Sequence, residues 1–202
     1  MNAPQSQPAH PSIRAFAQEY KNRIRQCLDE IDLGEAERAI ALLQQAYDQE
    51  KQIFIMGNGG SASTASHFAT DLGKGAAVGG RRRFRAISLT DNVALISAIG
   101  NDLGFEQIFV EQLRTLLCPE DVVILISGSG SSPNLLHAAE FAKSRDARSL
   151  GILGSGGGQL LPLLDASITL KSRHYGHVEA VHLVVEHLIC NYFMRSMGVS
   201  GY

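Results

Sequence analysis

The sequence predicts an α/β protein: a three-layer αβα sandwich around a five-stranded parallel sheet, preceded by a helical extension. Three observations predict it. Five short, continuously apolar runs follow residue 50, at 52–56, 85–89, 122–126, 149–153 and 166–170. Helical patterns fill the gaps, at 61–72, 92–99, 106–117, 134–144 and 176–197. Loops rich in glycine and serine follow the strands. Strands that are apolar throughout and separated by helices indicate a parallel sheet covered on both faces.

Residues 1–12 contain three prolines and no apolar stretch of the kind a secretory leader needs, so a flexible tail is expected there. From 13 to 31, Ile13, Phe16, Tyr20, Ile24, Leu28 and Ile31 recur at helical spacing. From 35 to 50, Ile40, Leu43 and Tyr47 share a face, and Gly34 separates the two segments. The expectation is an antiparallel helical pair over 13–50, packed on a domain that occupies 51–202.

Composition narrows the function classes. The 202 residues carry 18 Lys+Arg against 20 Asp+Glu, a formal net charge of −2. That balance argues against nucleic acid as a main partner, which needs clustered excess cations. No apolar run approaches the ~18 residues of a membrane span. Cys27, Cys118 and Cys190 are widely spaced and odd in number, which suggests a reducing, cytoplasmic setting and neither a disulfide framework nor a zinc knuckle.

The 20 glycines are concentrated: fourteen fall within 57–60, 73–80, 128–130 and 151–158. The first loop reads Gly57-Asn58-Gly59-Gly60-Ser61-Ala62, a strand entering glycines and then a helix. Such a turn lets backbone N–H groups approach an anion at a helix N-terminus. It also fits a relaxed dinucleotide fingerprint, but 78–89 lacks the acidic residue that fingerprint wants, leaving only Arg81, Arg82 and Arg83 to meet a 2′-phosphate. The second loop, Ser127-Gly128-Ser129-Gly130-Ser131-Ser132, offers four hydroxyls ahead of Pro133 at a helix start. Two hydroxyl-rich cradles favour a phosphorylated small molecule over a pair of plain turns. The third loop, 154–159, is either an edge of the site or a turn, and the 73–80 window suggests a flap.

Two sets of titratable residues stand out. His67 and Asp71 are four apart on the helix after the first loop. On the last helix, Glu179 and His187 are eight apart, with His182 and Glu186 expected to point away from them. Two imidazoles with two carboxylates suit zinc or a similar divalent metal, and equally suit acid–base work.

These motifs come in a familiar order: Gly57-Asn58-Gly59-Gly60-Ser61-Ala62, His67-x-x-x-Asp71, Gly100-Asn101-Asp102-x-Gly104-Phe105, Ser127-Gly128-Ser129-Gly130-x-Ser132 and His182-x-x-x-x-His187. The chain resembles the sugar isomerase (SIS) domain family, and within it the phosphoheptose isomerases. That resemblance implies a flavodoxin/Rossmann-like SIS domain in a cytoplasmic homotetramer, with active sites between subunits. It implies conversion of sedoheptulose 7-phosphate into D-glycero-D-manno-heptose 7-phosphate through a metal-assisted enediol(ate). Ser61, Ser127, Gly128, Ser129 and Ser132 would bind the phosphate, and Asn58, Gly59, Gly60, Asn101 and Asp102 would line the sugar. His67, Asp71, Glu179 and His187 would hold zinc, with Asp71 as base and His187 as acid.

Two departures accompany the resemblance. The family pattern has glutamate where this chain has Asp71, and a Gln-Glu pair where it has Glu179-Ala180, so Glu179 is an alternative base. The competing function is a non-catalytic SIS module that senses a sugar phosphate or docks onto a protein such as a replication initiator.

Overall fold

The computed structural model describes residues 12–75 and 82–199. The expected tail, apart from Ser12, lies outside the described residues, as do Arg81 and positions 76–80 of the expected flap. Two helices, α1 (Ile13–Asp29) and α2 (Leu33–Asp48), lead into β1 (Gln52–Gly57). There follow α3 (Gly60–Thr70), β2 (Arg85–Ser88), α4 (Val93–Asp102) and α5 (Val110–Leu116). The rest is β3 (Val122–Ser127), α6 (Pro133–Ser144), β4 (Arg148–Leu153), β5 (Ala166–Thr169) and α7 (Tyr175–Ser196).

All five strands pair in parallel in the order β2-β1-β3-β4-β5. Alternation along each strand sorts the core into two layers. Ile53, Ile55, Val122, Ile124, Leu150 and Ile152 face the layer that holds the buried sides of α1, α2, α3 and α7. Phe54, Met56, Val123 and Leu125 face α4, α5 and α6. The winding reverses between β1 and β3, and in such sheets ligands bind beyond the carboxyl ends of the strands at that point.

The helical pair closes the outer strand. Asp32 caps α2 by accepting from Gly34 and Glu35 N–H at 2.7 and 3.2 Å. Glu35 then accepts from the Thr169 N–H at 2.9 Å, occupying a donor on edge strand β5. Tyr20 of α1 donates to the Gly176 carbonyl at 3.0 Å and so anchors α1 to α7.

Two segments differ from expectation. The helix expected at 106–117 is a short 3₁₀ turn, Phe105–Gln107, followed by α5. Ile108, Phe109 and Val110 are all buried in succession, and a single helical stripe cannot bury three consecutive side chains. α3 stops at Thr70 and passes into one π-helical turn, Asp71–Gly75, a distortion that recurs at functional sites.

The third glycine loop supports the second. A Cβ on Gly158 would lie 2.5 Å from the Ser129 carbonyl oxygen, and one on Gly130 would collide with the Gly157 carbonyl. The contact is thus backbone on backbone, and Leu160 N–H donates to the Gly130 carbonyl across it at 2.9 Å. Gly130 also has φ +64°. Gly130→Ala adds a clash to left-handed strain of about 1–3 kcal/mol. It is expected to lower the urea unfolding midpoint clearly, whereas Gly156→Ala, with open space around its Cβ, loses only the strain component. Equal losses for the two variants would show that the loop–loop contact contributes nothing.

Candidate active site

The loops after β1 and β3 meet at the reversal of the sheet, where Asn58, Ser61, Ser127, Gly128, Ser129 and Ser132 line a cleft of about 180 Å³. Tyr175 and Glu179 complete it from the first turns of α7. Two helices begin here without side-chain caps: α3 after Gly59, and α6 after Ser132, whose hydroxyl makes no capping bond. Their N-terminal N–H groups and dipoles favour an anion. The hydroxyls keep their donor capacity. Ser127 Oγ accepts from Gly130 N–H at 3.0 Å and Ser129 Oγ accepts from Ser131 N–H at 3.2 Å, leaving both hydroxyl hydrogens for a ligand.

Further along α3 and α7 lies a cluster of His67, Asp71, Glu186 and His187, with one candidate donor atom from each within 4.8 Å of the others. Asp71 Oδ2 lies 3.5 Å from His67 Nε2 and 4.0 Å from His187 Nε2. Glu186 Oε2 lies 3.4 Å from His187 Nε2. The two imidazole rings meet edge to face, with centroids 5.0 Å apart.

The cluster differs from the expected one in its fourth member. Glu186 joins His67, Asp71 and His187, and Glu179 does not. Glu179 lies two turns earlier on α7 and folds against the start of α3, where a Cβ on Gly60 would be 2.6 Å from its carboxylate. Gly60 is therefore needed for that approach. Glu186 does not point away. It is 0% exposed, and its Oε2 has no hydrogen-bond partner. Its other oxygen accepts from the Cys190 thiol at 3.4 Å. Burial raises the Glu186 carboxyl above its usual range, and the neighbouring His187 and His67 oppose that shift. A buried carboxylate oxygen without a donor, set among two imidazoles and a second carboxylate, fits a divalent cation.

Asn101 and Asp102 do not reach this cleft. They form the exposed last turn of α4, where Asn101 donates to Asp102 at 2.7 Å, in the layer opposite α3 and α7. Arg82, considered for a cofactor phosphate, binds Glu50 at 2.9 Å and the Tyr47 carbonyl at 2.6 Å. It is a tie between α2 and the segment before β2.

This architecture defines a sugar-phosphate-handling domain, and the chain belongs to the SIS domain family, whose model matches residues 15–154. Its relatives within that family are phosphoheptose isomerases. The protein from Syntrophotalea carbinolica is 33% identical over 89% of this chain and 93% of its own length. That from Geotalea uraniireducens is 40% identical over 74% and 79%. Among solved structures, the phosphoheptose isomerase of Neisseria gonorrhoeae superposes with a TM-score of 0.81 at 27% identity, over 90% of this chain and 96% of that one. The Francisella tularensis enzyme, at 24% identity and TM-score 0.80, shows the same fold.

His182 was legible only as a neighbour of these residues, yet it is fully buried and both ring nitrogens lack partners. Burial lowers its pKa to about 4. Above pH 6.5 the folded and unfolded chains both hold it neutral. As pH falls from 6.5 towards 4, the unfolded chain takes up a proton that the folded chain refuses, and about 3 kcal/mol of stability is lost. Urea unfolding of wild type and His182→Leu should therefore diverge across that window, the variant being the less pH-sensitive. Parallel pH curves would show that His182 titrates normally.

Proposed function

We propose that this chain is a phosphoheptose isomerase that converts sedoheptulose 7-phosphate into D-glycero-D-manno-heptose 7-phosphate. The observation that carries the reading is a site with two ends on the same two helices. The hydroxyl-lined cleft suits a phosphate, and the four-donor cluster lies six to eight residues further along α3 and α7, roughly 10 Å at 1.5 Å per residue. An extended seven-carbon chain can bridge that gap, holding its phosphate at one end and its carbonyl at the other.

His67, Asp71, His187 and Glu186 would hold a divalent metal, zinc being the family's expectation, which would polarise the carbonyl and steady negative charge on its oxygen. Asp71 takes the proton from the carbon beside the carbonyl and returns it to the neighbouring carbon. His187 cannot serve as ligand and acid through one nitrogen; with its Nε2 off the metal it gives a proton to one oxygen and receives one from the other, so the enediol collapses to the isomer with no net gain or loss of protons. Glu179, the alternative base read from the sequence, lines the cleft away from the cluster and in this reading is an acceptor for sugar hydroxyls. Ser61, Ser127, Ser129 and Ser132 bind the phosphate.

We also place the enzyme in the cytoplasm as a homotetramer. The three free cysteines support the first part. For the second, α7 exposes Val184, Leu188 and Tyr192 beside His187, and α1 exposes Ile13 and Phe16. Apolar surface next to a site is what a neighbouring subunit covers. Asn101 and Asp102, exposed at the end of α4, would then serve a neighbour's sugar site across that boundary.

Purified protein supplied with zinc should convert sedoheptulose 7-phosphate, and prolonged incubation without conversion would end the substrate assignment. Elemental analysis should find one metal per chain, lost in His67→Ala and His187→Ala. Glu186→Gln is expected to lower metal content more than Glu179→Gln, and the reverse order would restore Glu179 as the ligand. Ser61→Ala and Ser129→Ala should each weaken sugar-phosphate binding on the order of tenfold, the loss of about one charge-assisted hydrogen bond. Their melting temperatures should change little. Matched losses of binding and stability would mark the loops as structural.

A further inference from the structure

The cleft contains a polar contact that neither its hydroxyls nor its helix termini explain. Asn134, the second residue of α6, is 2% exposed and does not line the cleft. Its amide pairs face to face with that of Asn58, which does. Asn58 Nδ2 donates to Asn134 Oδ1, and Asn134 Nδ2 donates to Asn58 Oδ1, both at 2.9 Å. The two residues are 76 apart in sequence, one in the loop after β1 and one at the start of the helix after β3.

A reciprocal amide pair is two-pronged and planar, so it fixes separation and orientation together. The ladder between β1 and β3 ends at Gly57 opposite Ile126. Beyond it the loops diverge into separate helices, and the clasp ties them where the sheet no longer does. The bonds also consume one N–H and one carbonyl lone pair of Asn58. They leave its second N–H and second lone pair at a set angle in the cleft.

We propose that Asn134 is a positioning residue, acting through Asn58 to fix the distance between the Ser61 loop and the Ser127–Ser132 loop. The cleft is thereby held at the width of a phosphate before ligand arrives, and the ordering of the loops is complete in the free protein. This inference rests on the reading of the cleft as the phosphate end of a sugar-phosphate site. Asn134 lies at that end, remote from His67, Asp71, Glu186 and His187.

The test is a double-mutant cycle read by calorimetric binding of sedoheptulose 7-phosphate to intact protein, with Asn58→Ala, Asn134→Ala and the pair combined. Asn134→Ala should weaken binding about tenfold, and the combined variant should be no weaker than Asn58→Ala alone. In turnover, KM should rise much more than kcat falls. Additive losses would overturn the proposal, as would a folded Asn134→Ala protein of lowered melting temperature and unchanged affinity. If Asn134→Ala does not fold, Asn134→Ser, which retains one short polar group, takes its place in the cycle under the same criteria. Wild-type protein that binds no sugar phosphate would instead remove the phosphosugar reading itself, and the clasp's assigned purpose with it. Binding with an additive cycle removes only the clasp.

Discussion

The packing of α3 against α7 sets the geometry on which the site depends. Ala65, Phe68 and Ala69 on α3 are buried, as are Val178, Val181, Val185 and Ile189 on α7, in the same core layer. Small residues on α3 let the two helices approach closely, and β-branched residues on α7 hold that approach with few rotamers. The residues with chemistry stand one position round from this seam: His67 and Asp71 on one helix, His187 on the other. The separation of their backbones is a consequence of apolar packing, while the two imidazoles themselves are partly exposed. The π-helical turn at Asp71 adds a local adjustment just where α3 must deliver a carboxylate between two histidines.

A polar seam runs through the same helix. His182, Glu186 and Cys190 are spaced four apart and all fully buried. Removing a carboxylate from water without a counter-charge costs several kcal/mol, and a thiol at 3.4 Å offsets little of it. Burial pushes the Cys190 thiol up, so at neutral pH it stays protonated and donates weakly to Glu186. On the proposed reading of the cluster, stability and metal occupancy would be linked, because a cation bound by folded protein alone stabilises it by mass action. If the cluster holds a cation as proposed, the seam exchanges fold stability for a desolvated ligand, and a polar substitution at Cys190 would disturb that end without touching the cleft.

The strands were legible because a covered parallel strand must be apolar throughout, and the runs at 52–56 and 122–126 fall almost residue for residue on β1 and β3. The loops were legible because the glycines and serines had to lie between those strands and the following helices. Glu186 was not. Spacing along α7 identifies residues on one stripe, but eight residues drift round a 3.6-residue helix and advance two full turns. Membership of the cluster was decided by which helix packs opposite, a tertiary fact. For the same reason the motif of Asn101 and Asp102 does not tell that their helix belongs to the other layer, away from this chain's own cleft. The Asn58–Asn134 pair left no signal at all, since a contact across 76 residues has no period.

The physical consequence of a two-ended site is a division of labour. On the proposed reading the cleft offers neutral hydroxyls, backbone N–H groups and a fixed amide, which would bind a phosphate equally well before and during reaction. The cluster gathers the titratable groups, which would be the ones to change charge or move protons. Binding energy from a remote, unreactive phosphate can then offset the cost of desolvating and aligning the carbonyl end. That arrangement bears on two acidic side chains of α7, one near its start and one at its middle. Glu179, on the phosphate side, would repel an anion in the cleft if left free, but it lies against Gly60, at the positive N-terminus of α3, which favours its charge. Glu186, in the cluster, is buried with one carboxylate oxygen unpartnered, which a cation would satisfy. The same acid stands in the second turn and in the middle of one helix in two different electrostatic settings, and the glycine at position 60 is what lets the first of them fit.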